Sequence, residues 1–194
     1  MENDANSCTV DFGRTRIAYV VGEPIDQPVQ AVICPANARG IMPASGSFSL
    51  RVIAGPAIER ETMAKAPLNL GSAVMTSSGN LASRGIERLI HATIVDAPGA
   101  SANLAVVRES LAAALELVHT ERLHSVSVPV LGLSSDTPPE KRQLWIESIV
   151  EEVVAHVRRD RSRLDLVVLA SRYPDDQEVI GAALVSARAH AWRS

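Results

Sequence analysis

The sequence of 194 residues predicts an α/β fold in which helices cover both faces of an at least partly parallel sheet. Short runs of consecutive apolar residues, such as residues 29–34 and 166–169, are typical of strands that are covered on both faces. Longer segments, above all residues 102–121, carry apolar side chains at helical spacing. Because such strands and helices alternate along the chain, parallel strands joined by helices are expected.

The elements follow one another without an internal repeat or a linker, so one domain over residues 1–194 is expected, with its core at about residues 9–190. Gly13 separates the first two strands, Pro35 should end the third, and Gly55-Pro56 should bend or break the first helix. Strands are predicted over residues 9–12, 15–21, 29–34, 71–77, 88–95, 125–131 and 164–170, and helices over residues 48–66, 102–121, 139–159 and 175–191.

Charge and composition limit the classes of partner. The net charge of −3 argues against broad binding to nucleic acids or acidic membranes, which require a positive surface. The basic residues at 158–163 have no interleaved aromatic residues, so a solvated helix end is expected there rather than a nucleic-acid site. A single small anionic ligand remains compatible with this charge, because backbone N–H groups can hold a phosphate.

Two cysteines, Cys8 and Cys34, do not make a disulfide framework and are interpreted as reduced residues. No apolar run is long enough to span a membrane, and residues 1–7 lack the features of a signal peptide, so a cytoplasmic location is expected. No histidine, cysteine and aspartate cluster has metal-ligand spacing, and neither a metal nor a cofactor is predicted. Abundant arginine and alanine beside few lysines suggest a bacterial source.

Two loops of small residues indicate where a ligand binds. Residues 35–47 and 132–139 each run from a buried strand into a helix. Ligands of α/β sheets bind outside the carboxyl ends of the strands, where small residues allow close approach and helix starts offer unpaired N–H groups. Together the two loops predict a phosphate-binding cleft.

Several segments then carry a family resemblance by their order and spacing. They are Gly22-Glu23-Pro24-Ile25, Cys34-Pro35-Ala36-Asn37, Ile53-Ala54-Gly55-Pro56, and the positions Gly71, Ala73, Thr76, Gly79 and Leu81 that lead to Ile90-His91-Ala92. They resemble the motifs of the macro domain, a module that binds ADP-ribose and in some members removes it from proteins or small molecules. The resemblance covers about residues 22–170 and implies a three-layer α/β/α fold with a mixed central sheet.

The resemblance also implies roles for single residues. Glu23 stands where an aspartate accepts a hydrogen bond from the adenine amino group, and Asn37 stands where an asparagine contacts the terminal ribose. Tyr173 is placed where an aromatic ring stacks on adenine. The two diphosphate loops correspond to Ala44, Ser45, Gly46 and Ser47 and to Gly132, Ser134, Ser135, Asp136 and Thr137. Because Asn37 is predicted on a loop, its replacement by alanine should weaken binding and leave folding largely intact.

Departures from the family pattern bear on catalysis. The hydrolytic branch has an aspartate at the position of Ser47, and a serine is no comparable base. Met42 and Pro43 replace small residues, and Asp136 adds a negative charge beside the expected phosphates. No catalytic residue is assigned, and Asp136 is the one candidate for a replacement base.

Three functions remain open at this point. The first is the binding of ADP-ribose, a related nucleotide diphosphate or an ADP-ribosylated protein in the cleft, and the missing acidic residue at Ser47 favours it. The second is a divergent hydrolase that acts on ADP-ribosylated protein or O-acetyl-ADP-ribose. The third is a degenerate domain kept for protein contacts.

Simpler interpretations of the same residues also stay open. Asn37 can stabilise a turn, Glu23 can be a solvated turn residue, and His91 is expected in the core. Asp136 can point outward or cap the helix that begins near residue 138. Cys34 is expected as a packed residue at a strand end, with a nucleophilic thiol as the alternative.

Overall fold

A computed structural model describes residues 7–42, 48–159 and 162–190, and within them a seven-stranded sheet lies between two layers of helices. The predicted three-layer α/β fold is therefore confirmed. The strands are β1 (Ser7–Phe12), β2 (Thr15–Val21), β3 (Ala31–Asn37), β4 (Ala73–Ser77), β5 (Arg88–Val95), β6 (Ser125–Pro129) and β7 (Leu166–Ser171). The helices are α1 (Phe48–Ala54), α2 (Ala57–Met63), α3 (Leu104–Thr120), α4 (Pro139–Val157) and α5 (Asp175–His190), with 3-10 turns at Pro24–Asp26 and Gly79–Arg84.

The sheet is mixed, with the strand order β1-β2-β7-β6-β3-β5-β4. The five central strands are parallel, whereas β1 and β4 pair antiparallel with β2 and β5 at the two edges. Consecutive residues in β3, β6 and β7 are buried because helices cover both faces of these strands.

Two apolar clusters fix the helices to the sheet. On one face, α3, α4 and α5 bury side chains such as Leu111, Ile149 and Leu184. On the other face, α1 and α2 bury Leu50 and Ile58 together with residues of the second 3-10 turn. The helix after β3 and the helix after β6 therefore lie on opposite faces of the sheet.

Neighbouring strands β3 and β6 separate towards their carboxyl ends. Their register pairs Ala31 with Val126 and Val32 with Ser127, while β3 continues beyond these residues to Asn37. Where neighbouring parallel strands send their helices to opposite faces, a crevice forms outside the strand ends. The fold thus opens the sheet at the place where ligands of α/β proteins bind.

The prediction that Pro35 ends the third strand is wrong, because β3 runs through Pro35 to Asn37. Proline lacks a backbone N–H and is tolerated in a strand that has an open edge. Beyond Val32 the register with β6 has ended, so β3 has such an edge.

The break at Gly55-Pro56 is confirmed, since α1 ends at Ala54 and α2 begins at Ala57. Among the helices described, none is long and apolar enough to cross a membrane.

Candidate functional site

A cavity of about 340 Å³ lies at the carboxyl ends of β2, β3, β6 and β7. This volume falls within the range of about 300–1,000 Å³ that is typical of small-molecule sites. The wall is formed by residues 32–35 inside β3 and by residues at or just beyond the ends of β2, β6 and β7, and α1 and α4 contribute one residue each. The cavity is lined by residues 22–25, 32–35, 129–130 and 170–173 together with Leu50, Leu133 and Arg142.

The floor of the cavity is apolar on the side of β3. Val32 and Leu50 are buried there, and the Cys34 thiol lies 3.9 Å from the carbonyl oxygen of Val32. Burial raises the pKa of the Cys34 thiol to about 12. The nucleophile is the thiolate, so a thiol that stays protonated at neutral pH is inert. These values support the interpretation of Cys34 as a packed residue.

Glu23 lies at the rim of the cavity and is paired with Arg172, which the sequence analysis did not predict. The Arg172 Nε lies 2.5 Å from Glu23 Oε1, and the Arg172 Nη2 donates to Glu23 Oε2 over 3.0 Å. Both side chains are partly exposed, so the pair contributes little to stability and can exchange partners at low cost. Glu23 is therefore a cavity residue whose carboxylate is paired with Arg172.

Tyr173 lines the same rim, where the Arg142 guanidinium carbon lies 4.3 Å from its ring centroid. This distance is that of a cation–π contact. The contact covers one face of the ring. Tyr173 thus lines the cavity beside Arg142, a cation that was not predicted from the sequence, and its stacking on adenine stays a prediction.

Arg142 is held by a buried carboxylate. Its Nε donates to Asp176 Oδ1 over 2.5 Å and its Nη2 donates to Asp176 Oδ2 over 2.7 Å. The side chains of Arg142 and Asp176 are 14% and 1% exposed, so this pair is largely removed from water. The hydrogen bond to Asp176 raises the pKa of Arg142, and Ser171 donates a further hydrogen bond to the same carboxylate.

No local signal in the sequence could have joined Arg142 to Asp176. The two residues are 34 positions apart, on α4 and at the start of α5. Taken alone, each is an ordinary charged residue in the first turn of its helix. Only the tertiary contact between α4 and α5 makes them part of the cavity wall.

The second loop approaches the cavity through Leu133, whereas the predicted contacts Gly132, Ser134, Ser135, Asp136 and Thr137 lie outside its lining. The Ser134 carbonyl accepts a hydrogen bond from Arg142 Nη1 over 3.1 Å, which fixes the loop to α4. Gly132 has a φ of +78°, and a Cβ at this position would lie 3.0 Å from the Ala102 Cβ. Close packing therefore requires the glycine here.

Asp136 points into solvent. The hydroxyl of Ser134 lowers the pKa of Asp136, which makes its carboxylate a weaker base. The N-cap residue of α4 is Pro138, so the interpretation of Asp136 as the helix cap is wrong. Its outward position is the alternative that the structure supports.

Asn37 is the last residue of β3 and is 4% exposed. Its Nδ2 donates to the Ile41 carbonyl over 2.7 Å, and its Oδ1 accepts from the N–H groups of Arg39 and Ile41 over 3.1 Å and 3.4 Å. The amide thus organises the turn that follows β3. The proposed contact of Asn37 with a ribose stays a prediction.

The first predicted phosphate loop, Ala44, Ser45, Gly46 and Ser47, lies outside the described residues, as does Pro43. Met42, which precedes it, is buried in the apolar cluster under α1 and α2. Its backbone N–H donates to Glu59 Oε1 over 2.8 Å. Met42 borders a separate cavity of about 10 Å³ and is not among the residues that line the cavity of about 340 Å³.

Comparisons with known proteins identify the family. A family model described as Macro domain matches residues 33–141, more than half of the chain. An uncharacterized protein of Aquifex aeolicus (strain VF5) is 32% identical over 137 residues, which are 71% of this chain and 80% of that protein. The chain belongs to the macro domain family.

Solved macrodomains share this fold at low sequence identity. A mutant of the Oceanobacillus iheyensis macrodomain with ADPR has a TM-score of 0.74 at 18% identity, and the match covers 93% of this chain and 97% of that one. The Trypanosoma brucei macrodomain in complex with ADP has a TM-score of 0.73 at 19% identity, with 88% and 69% covered.

Two motif residues of this macro domain serve the sheet rather than the cavity. His91 on β5 is buried, and its Nε2 lies 2.9 Å from the hydroxyl of Thr76 on β4. Burial lowers the pKa of His91 to about 4, so the ring is neutral at physiological pH. The expectation of a core histidine agrees with this geometry. Within the described residues, no group of three or more metal-ligating side chains is present.

Proposed function

We propose that this macro domain binds ADP-ribose or a related nucleoside diphosphate in the cavity lined by β2, β3, β6 and β7. The observation that carries the proposal is the cavity of about 340 Å³ at the point where β3 and β6 separate. Macrodomains of the same fold have been solved with ADPR and with ADP, which supports this ligand class. Met42 and Asp136 leave the cavity open, which favours ligand binding over a domain kept for protein contacts alone.

The rim at Glu23 and Tyr173 is the proposed site for the base. A carboxylate accepts hydrogen bonds and therefore suits the amino group of adenine, and the phenol ring of Tyr173 offers a surface for stacking. Stacking of a base on an aromatic ring contributes about 1–3 kcal/mol. Because the Glu23 carboxylate is also paired with Arg172, the rim offers both an acceptor and donors to the base edge.

Binding is favoured over hydrolysis by the ionisable groups around the cavity. The Cys34 thiol is protonated at neutral pH, and Asp136 lies outside the lining with a lowered pKa. Neither is suited to activate water or attack a ribosyl bond. We therefore propose a reader of ADP-ribose, with a divergent ADP-ribosyl hydrolase as the alternative. We also propose that the protein is located in the cytoplasm.

Calorimetric titration with ADP-ribose and ADP tests the proposal. We expect saturable binding of both ligands, and an absence of heat at millimolar ligand would contradict it. Incubation with a mono-ADP-ribosylated protein separates the two activities, since release of free ADP-ribose would make the chain a hydrolase.

The role of Glu23 in base selection is tested by comparing ADP with IDP, in which a carbonyl replaces the amino group. Glu23→Gln should reduce the preference for ADP about tenfold, because a charged hydrogen-bond acceptor is lost. Glu121→Gln is the matched control, since Glu121 is similarly exposed and lies at the C-cap of α3. An unchanged preference in Glu23→Gln would remove Glu23 from the base site.

A further inference from the structure

The cavity wall contains a guanidinium group that is fixed in position before any ligand arrives. Arg142 lines the cavity, and its fork is held by two hydrogen bonds to the buried Asp176. We infer that Arg142 is a side-chain contact for a phosphate of the bound nucleotide, and that Asp176 and Ser171 are its positioning residues. This inference rests on the proposed nucleotide binding and assigns a contact that lies outside the segment matched by the family model.

The hydrogen bonds of Arg142 leave donors for a ligand. A guanidinium has five N–H groups. Among the residues described, three of them have acceptors, namely the two Asp176 oxygens and the Ser134 carbonyl. The side chain is only 14% exposed and borders the cavity. Its other two donors can therefore bond to water or to an acceptor of a ligand in the cavity.

The charges of the wall favour an anion at this position. Glu23 and Arg172 form a pair at the rim, and Asp176, which balances Arg142, lies behind the wall and is 1% exposed. The cavity therefore presents the positive member of the buried pair and not the negative one. A planar guanidinium matches the oxygens of a phosphate, which can accept two parallel hydrogen bonds.

Arg142 also contacts both the proposed base site and the second loop. Its guanidinium carbon lies 4.3 Å from the centroid of the Tyr173 ring, and its Nη1 donates to the Ser134 carbonyl of the second loop. A phosphate bound to Arg142 would thus lie between the stacking ring and that loop. This is the order in which a nucleoside and its phosphates are linked.

The same buried carboxylate positions both side chains. Asp176 accepts hydrogen bonds from Arg142 and from the hydroxyl of Ser171. The Ser171 oxygen in turn accepts from the backbone N–H of Tyr173 over 3.2 Å. Arg142 and Tyr173 are therefore preorganised by one network, which reduces the entropy lost on binding.

The test compares ligands that differ only in their phosphates. Arg142→Lys keeps the charge, and the double variant Arg142→Gln with Asp176→Asn replaces the ion pair by an amide pair. The double variant is needed because Arg142→Gln alone would leave a buried charge unpaired and could prevent folding. Affinities for ADP-ribose and ADP are measured by calorimetry, and that for adenosine by displacement of ADP-ribose. Arg108→Lys on α3 is the control, because the Arg108 side chain is 45% exposed and pairs with Glu151 and Glu152.

We expect the double variant to lose about 10- to 100-fold more affinity for ADP than for adenosine, with a smaller difference in Arg142→Lys and none in the control. Equal weakening of ADP and adenosine would show a merely structural role, and unaltered ADP binding would also overturn the inference while leaving the proposed function intact. If the wild-type chain binds neither ADP nor ADP-ribose, both proposals fail. Should the double variant not fold, the ratio of ADP to adenosine affinity in Arg142→Lys decides the matter.

Discussion

Replacement of Asn37 by alanine should destabilise the fold as well as affect binding. The amide of Asn37 makes three hydrogen bonds to the turn after β3, over 2.7, 3.1 and 3.4 Å, and the residue is 4% exposed. A hydrogen bond of this kind contributes about 1 kcal/mol, and a buried group left without a partner costs more. The longest contact counts for less, so Asn37→Ala should lower the free energy of unfolding by about 2–3 kcal/mol.

Urea unfolding, followed by tryptophan fluorescence and far-ultraviolet circular dichroism, measures this loss directly. Asn103→Ala is the matched control, because the Asn103 Oδ1 makes one hydrogen bond to the N–H of Ala105 at the N-terminus of α3, over 2.8 Å. Loss of such a cap costs about 1 kcal/mol. We expect the order wild type, Asn103→Ala, Asn37→Ala in decreasing stability, with equal dependence of the unfolding free energy on urea.

A stability of Asn37→Ala at or above that of Asn103→Ala would refute the reasoning. It would mean that the turn after β3 does not depend on the amide. If the variant also retains its affinity for ADP-ribose, the prediction that Asn37 contacts the ribose would be wrong as well. The sequence-based expectation that this substitution leaves folding largely intact is replaced by the opposite one, since the residue ends a buried strand.

Two further predictions follow from ionisation. Burial lowers the pKa of His91 from 6.5 to about 4, so between these pH values the unfolded chain binds a proton that the folded chain does not. As the pH falls from 6.5 to 4, the free energy of unfolding of the wild type should therefore fall by up to about 3 kcal/mol relative to that of His91→Gln. A constant difference over this range would contradict the prediction. Burial raises the pKa of Cys34 to about 12, so a thiol reagent at pH 8 should modify the exposed Cys8 and leave Cys34 unmodified until urea is added. Mass spectrometry detects the modified residues, and rapid labelling of Cys34 in the folded protein would contradict this expectation.

Much of the fold was predictable because it depends on local periodicity. Every predicted strand and helix has a counterpart, and the break at Gly55-Pro56 lies where proline and glycine chemistry requires it. The extension of β3 through Pro35 was not predictable, because it depends on β6 ending its pairing with β3 after Val32. That separation is a property of two strands that are far apart in sequence, and it is also what opens the cavity.

The site was predictable only in part. Glu23 and Tyr173, for which the family resemblance implied ligand contacts, line the cavity, and those contacts stay predictions. The second loop contributes Leu133 rather than its polar residues. Arg142 and Asp176 were not predicted, because the sequence of neither helix alone shows that the two side chains form a buried ion pair. The electrostatics of a cleft therefore depend on tertiary contacts that periodicity and loop composition do not encode.

A crystal structure of the chain with ADP-ribose tests the central claim most directly. We expect the diphosphate between the carboxyl ends of β3 and β6, with a phosphate oxygen within about 3 Å of an Arg142 nitrogen and the adenine beside Glu23 and Tyr173. A complex in which the nucleotide binds away from these strand ends, or a saturated crystal in which the cavity holds only water, would contradict it.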